Sequence, residues 1–209
     1  MLDTILHRGP DSKKTRIERD HGLAMGHTRL IINDHVTGEQ PLQSQDGRYL
    51  LTVNGEFYDF KRYRSLAMSE GHRYLTKSDS EIALSLFSQY GLEFVQHLRG
   101  EFAFTLYDKK KRELILVRDR FGIRPLFYHC NGKQLIYGSE AKAVLAHPDT
   151  PSAMRPEAIL HQMMQTMAPG MSAFEGIYPL EPGRILRVRQ NNGKLETDEQ
   201  SYWDYEFPR

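Results

Sequence analysis

At 209 residues the chain has the length of a single domain, large enough to bury an apolar core without disulfides or a structural metal. Its 28 lysines and arginines against 27 aspartates and glutamates leave a formal net charge of +1, so no long-range field gathers nucleic acid or an anionic membrane surface. The single cysteine, Cys130, excludes an internal disulfide framework and a cysteine-based zinc cluster and suits a reducing, cytoplasmic compartment, and no run approaches the roughly 18 apolar residues of a membrane span.

Residues 6–12, LHRGPDS, read as a turn almost at the start of the chain. Alternating or apolar runs then predict strands over residues 22–32, 48–57, 101–108, 113–119, 125–130, 134–139 and 183–189. Turn chemistry at 108–113 (DKKKRE), 131–133 (NGK) and 191–194 (NNGK) makes hairpins, so consecutive strands are expected to be mostly antiparallel. Helical patterns fall at 58–71, 78–91, 139–147 and 155–165. The second has the strongest signals: Ser78 or Asp79 as cap, Glu81 in the first turn, and a stripe of Ile82, Leu86 and Phe87. Antiparallel strands with helices packed over them give an α+β fold, expected as two sheets in one domain over residues 1–209. The aromatic and acidic tail, residues 201–207, is written to lie against something.

Some residues stand out for chemistry. The strand over 48–57 is apolar to Val53 and is expected to stop at Asn54-Gly55-Glu56, a common turn pair. The functional alternative is an oxyanion hole from the Asn54 amide and the Gly55 N–H. His27 and Arg29, at i and i+2, share one face of a strand. Flanked by Leu30, Ile31 and Ile32, the arginine is either half of a structural ion pair or a bidentate clamp on a carboxylate. Asp79 at a helix start is an N-cap or the partner of an ammonium group. A carboxylate clamp and an ammonium partner together suit a free amino acid. The nine histidines, His35 among them, show no paired spacing with acidic helpers, so no metal site is expected. There is no phosphate-binding glycine loop or nucleophile elbow, and Cys130, beside a hairpin turn, reads as an ordinary strand-end thiol.

Taken in order, HRGPDS, GHTRLIIND, GEQPL, VNGEFYDF, KSDSE, LRGEFAFTLYD, RDRFGIRPLFY, GSEAKAVLAHP and YWD closely resemble the class II glutamine amidotransferase domain of glutamine-hydrolysing asparagine synthetases, from His7 to Asp204. The resemblance implies an N-terminal-nucleophile hydrolase fold, an αββα sandwich of two antiparallel sheets between helices. It implies that Arg29 grips the α-carboxylate of L-glutamine, that Asp79 with Glu56 holds the α-amino group, and that Asn54 and Gly55 form the oxyanion hole. The backbone around Ile32 would line the same pocket, with Arg118, Asp119, Gly122 and Pro125 shaping a turn beside it. No cofactor is implied in this domain; ATP and magnesium belong to a synthetase domain that supplies the ammonia acceptor.

The family's chains begin Met-Cys-Gly-Ile, where the exposed cysteine is the nucleophile, whereas this sequence begins Met1-Leu2-Asp3. The expectation is therefore a domain without its nucleophile, first strand or synthetase half. One sheet should keep an unpaired edge, and the chain as given should be inactive by itself. The expected partners are glutamine and a synthetase domain or full-length paralogue. The alternative is a non-catalytic, glutamine-binding regulatory paralogue.

Overall fold

A computed structural model describes every residue except Asn33, His35, Met167 and residues 207–209. The strands in chain order are β1 (Ser12–Glu18), β2 (Leu23–Arg29), β3 (Leu42–Gln43), β4 (Tyr49–Tyr58), β5 (Arg99–Asp108), β6 (Glu113–Arg118), β7 (Phe127–Cys130), β8 (Leu135–Gly138), β9 (Tyr178–Pro179), β10 (Arg184–Asn191) and β11 (Lys194–Ser201). The helices are α1 (Phe60–Ser69), α2 (Ile82–Tyr90), α3 (Ala141–Leu145) and α4 (Pro156–Met163), with 3-10 segments at Leu2–Arg8, Arg19–His21, Asp79–Glu81 and Gly91–His97. Among the described residues no helix is long and apolar enough to cross a membrane.

Period-two patterning explains the layers. In the six-stranded antiparallel sheet, ordered β11-β10-β6-β5-β4-β3, one face carries Leu51, Val53, Phe57, Phe102, Phe104, Ile115 and Val117. These pack under α2 and the Gly91–His97 segment through Ile82, Leu86, Phe87, Phe94 and Val95. Phe57, Phe94, Phe102 and Phe104 are each fully buried, a burial of roughly 1.5–3 kcal/mol per ring. The alternate residues Leu50, Ala103, Tyr107, Leu114, Leu116 and Leu186 face the other way, onto Met25 of β2 and Tyr128, Leu135 and Tyr137 of β7 and β8. Beyond that second layer, Ile136 and Phe127 pack on Val144 and Leu145 of α3. The order helix, sheet, sheet, helix is the expected α+β sandwich.

Three features differ from the sequence reading. The second layer is not one sheet but two, β1-β2 and β8-β7-β9. The strand expected to stop at Asn54 runs through to Tyr58, paired residue for residue with β5, because the long ladder overrides a local turn preference. Finally, β1 and β11 are strands despite polar sequences, since each needs only one ladder partner while its side chains stand in solvent. Of the tail, Tyr202 donates from its hydroxyl to the Arg118 carbonyl at 2.8 Å, and Trp203 and Tyr205 lie edge-on to Phe121, while Phe207 is outside the described residues.

Candidate active site

The site begins at the free edge of β4. β3 pairs with β4 only at Leu50 and Leu51, so among the described residues the edge turned away from β5 carries no strand beyond that point. Val53 N–H donates there to Gln40 Oε1 at 2.6 Å, and Phe57 N–H to Asp79 Oδ2 at 2.8 Å. Between them lies Gly55, opposite Phe102. Phe102 uses both its backbone groups on Asp119, donating to Oδ2 at 3.2 Å and accepting from the Asp119 N–H at 2.8 Å. The Gly55–Phe102 pair is therefore a non-hydrogen-bonded one, and the Gly55 N–H follows its alternate neighbours to the free edge. Only glycine fits: φ is +133°, and a Cβ would lie 1.9 Å from the Glu101 carbonyl oxygen. Beside it the Asn54 Nδ2 is buried with no acceptor among the described residues, an omission that costs about 1–3 kcal/mol unless a ligand supplies one.

Arg29 ends β2 and is 7% exposed. Its Nη2 donates to the Asp34 carbonyl at 2.5 Å, and a Cβ on Gly38 would come within 2.6 Å of that nitrogen, so glycine lets the loop lie on the guanidinium. The Asp34 carboxylate accepts from Thr37 N–H at 2.9 Å, Thr37 Oγ1 at 2.5 Å and Lys77 N–H at 2.9 Å. Burial pushes that carboxyl upward, but the hydrogen bonds from Thr37, Lys77 and Val36 outweigh it and hold it down at about 2. Asp34 thus ties the Arg29 loop to the segment bearing Asp79. Sequence reasoning missed this, because an Asn-Asp pair carries only a turn signal.

Asp79 is 5% exposed. The cap is Ser78, whose Oγ accepts from the Ser80 N–H at 3.2 Å, so Asp79 is released from that duty. Burial pushes the Asp79 carboxyl above the ordinary range, more than the N–H groups of Phe57 and Ser80 pull it down, and among the described residues no cation stands within ion-pair distance. His27, also facing the site, donates Nε2–H to the Val53 carbonyl across 3.1 Å, and burial lowers its pKa to about 4, so it is neutral.

Two turns close the ring. A Cβ on Gly9 would lie 2.4 Å from the Thr28 carbonyl, which shows how tightly the residues after the Leu2–Arg8 segment sit on β2. That contact brings Arg8 to the site, its Nη1 3.3 Å from Glu140 Oε1. On the other side Asp119 accepts from the N–H groups of Phe121, Ile123 and Arg124, and Arg118 donates to the carbonyls of Gly122, Arg124 and Leu180. The turn so held delivers Arg124, 2.5 Å from Glu101 Oε1.

All six residues expected from the sequence, Arg29, Ile32, Asn54, Gly55, Glu56 and Asp79, line one cavity of about 390 Å³, within the usual range of roughly 300–1,000 Å³ for small-molecule sites. Arg8, His27 and Arg124 line it as well. Cys130 does not; it is half-buried at the end of β7. The cavity therefore brings the Arg29 guanidinium, the Asp79 carboxyl with no cation within ion-pair distance among the described residues, and the Asn54 and Gly55 N–H groups onto one lining.

Residues 1–203 match the sequence profile described as "Glutamine amidotransferase domain". The chain is 37% identical over 99% of its length to amidase chry2 of Gibberella zeae, of which it covers 30%. It is 35% identical over 97% of its length to asparagine synthetase [glutamine-hydrolyzing] 2 of Bacillus subtilis, covering 27% of that protein. The chain thus spans less than a third of the length of either curated relative. Among solved structures, the glutamine phosphoribosylpyrophosphate amidotransferase of B. subtilis, complexed with ADP and GMP, aligns with a TM-score of 0.54 at 22% identity over 84% of this chain and 34% of that one. A structure described as the allosteric regulatory enzyme of purine biosynthesis aligns at 0.58 and 21% with the same coverage. These two likenesses show the fold, a layered α+β sandwich.

Proposed function

The chain belongs to the glutamine amidotransferase domain family, and from that premise we propose that its cavity binds L-glutamine and, within an asparagine synthase-like protein, serves the release of ammonia from the side-chain amide. Arg29 pairs with the α-carboxylate. Asp79, assisted by Glu56 on the same rim, receives the α-ammonium and so gains the cation its burial calls for. The side-chain carbonyl then lies toward Asn54 Nδ2 and the Gly55 N–H, where a tetrahedral oxyanion would be stabilised as it forms, a contribution of about 3–4 kcal/mol per donor in comparable sites. The observation that carries this reading is the unmatched Asn54 Nδ2 donor on β4, lining one cavity with the buried Asp79 carboxyl, which has no cation within ion-pair distance among the described residues.

The same geometry bears on turnover. Attack on the amide carbonyl needs a nucleophile, and the one cysteine of the chain lies outside the cavity. The chain alone is therefore read as a glutamine binder that does not hydrolyse its ligand, which also fits a regulatory glutamine-binding role. In the family it resembles, the ammonia passes to a synthetase domain that holds ATP and magnesium, and that partner is part of the proposal. Calorimetry with L-glutamine tests the binding step. Saturable heat is expected, weakened at least tenfold by Arg29→Ala, with no ammonia released; no heat at millimolar glutamine would sink the reading, and ammonia release surviving Cys130→Ala would reveal an overlooked nucleophile.

A further inference from the structure

Along the free edge of β4 the N–H groups of Val53, Gly55 and Phe57 follow one another at intervals of about 7 Å. Gln40 Oε1 takes the first at 2.6 Å and Asp79 Oδ2 the last at 2.8 Å, with Gly55 between them. The Val53 carbonyl is held as well, by His27 Nε2–H at 3.1 Å. The two peptide units that precede Asn54, 52–53 and 53–54, are thus each gripped from this edge by a side chain. The next unit carries the Gly55 N–H, and the Asn54 side chain springs from the Cα between, so planar peptides pass any tilt at Val53 directly to both donors. Gln40 is buried and lines the cavity, and its side chain makes no other hydrogen bond among the described residues. It stands two residues after Gly38, where an added Cβ would come within 2.6 Å of Arg29 Nη2. One short segment therefore touches the Arg29 guanidinium at Gly38 and the backbone before Asn54 at Gln40.

Resting on the glutamine reading of this cavity, we propose that Gln40 is a positioning residue: by holding the Val53 N–H it aims the Asn54 amide and the Gly55 N–H at the side-chain carbonyl of the ligand, and so sets the preference for an amino acid that has one. A β-strand ordinarily has its edge fixed by the next strand, and here one carboxamide oxygen does that work at the rung before the donors. Aim matters because a hydrogen bond weakens steeply as its angle closes, and donors that must reorganise to meet an oxygen lose much of their worth. Gln40 acts at the far end of the ligand from Arg29 and Asp79. Its loss should therefore be felt by the side-chain carbonyl and not by the α-carboxylate or the α-ammonium. A residue that merely satisfied a buried N–H would show no such division.

L-Glutamine and L-norvaline are the probes, since they share the α-carboxylate and α-ammonium and only glutamine carries a side-chain carbonyl. Calorimetry should show the 209-residue chain preferring glutamine at least tenfold. Gln40→Met, close in shape but without an acceptor, should cut that preference to threefold or less while norvaline affinity stays within threefold of its original value. Gln40→Glu, which again offers the Val53 N–H an acceptor, should restore the preference, because the charge it adds acts on the α-groups that both ligands share. Should the methionine variant not fold, Gln40→Asn, one carbon too short to reach Val53, carries the same expectation. Equal weakening of both ligands, or an unchanged preference, would overturn the proposal. NMR of the ligand-free chain separates this role from the glutamine reading: Gln40→Met should shift the Asn54 Nδ2 and Gly55 amide signals, and Gln40→Glu should leave them near their original positions. Signals that stay in place in the methionine variant would overturn the proposal. Binding of neither ligand, with those shifts present, would refute the glutamine reading and support the positioning role.

Discussion

Asp79 is buried with no cation within ion-pair distance among the described residues. Because burial raises its carboxyl above the unfolded value of 3.8, the folded chain holds that proton to higher pH than the unfolded chain does, and stability contributed by the protonated form is lost as pH rises through the folded pKa. In its ionised form the group is a liability to the fold and an asset to a cationic ligand. Asp79→Asn, which keeps an oxygen for the Phe57 N–H, should therefore leave the melting temperature at pH 7 unchanged or raise it by a few degrees while weakening glutamine binding at least tenfold, above about 1.4 kcal/mol. Thermal scans beside calorimetry separate the two effects; loss of both fold and binding would assign Asp79 to structure alone. His27 works in the opposite direction. Burial first, and the Arg29 charge with it, depress its pKa from 6.5 to about 4, so the unfolded chain takes up the proton first as pH falls. Stability should be full above pH 6.5 and decline between 6.5 and about 4, by on the order of 3 kcal/mol. His27→Gln, still able to donate to the Val53 carbonyl, should flatten urea midpoints across that window, and an unchanged pH profile would contradict the assignment.

Among the elements, β4 shows where local signals end. Asn54-Gly55 looks like a turn because only a few residues are weighed, yet ten residues of β5 lie opposite and the glycine is needed so that the Glu101 carbonyl can approach. The penalty for a side chain is therefore steric as well as conformational. Gly55→Ala should destabilise by about 3 kcal/mol or more in urea unfolding, whereas Gly71→Ala, at φ +88° with open space around it, should cost about 1 kcal/mol. Equal losses would mean that β5 yields at that point. Strands with alternating apolar residues were readable in this way, and so was the α2 start, since Ser78, Glu81 and the apolar stripe all act within one turn or two. β1 and β11 were not, because a strand whose side chains stand in solvent has no apolar pattern to show. The site was legible through residues whose type is unusual for their place, Arg29 and Asp79. It was illegible at Asp34, Arg8 and Arg124, which act through loops brought together only by the fold. Asp34→Ala should accordingly lower glutamine affinity severalfold in calorimetry with little change in the unfolding midpoint, since it joins two loops rather than core layers.

At the scale of the molecule, cohesion is uneven. β4, β5 and β6 are buried on both faces, under the phenylalanines on one side and the second layer on the other. By contrast α4 buries none of its residues, and β11 is an edge strand with nearly every side chain exposed. Amides of the central strands should exchange only through global unfolding, and those of α4 and β11 through cheap local openings, so exchange free energies should fall from centre to periphery. A ligand that binds only the folded site adds RT ln(1 + [L]/Kd), about 2.7 kcal/mol at a hundredfold excess over Kd, to every opening that destroys the site and nothing to those that leave it whole. Since Val53, Gly55 and Phe57 belong to β4, saturating glutamine should slow exchange throughout β4 and β5 by about a hundredfold and leave α4 and β11 unaffected. Were α4 to slow by the same factor, it would belong to the cooperative unit that holds the site, and its exposed side chains would need a different physical account.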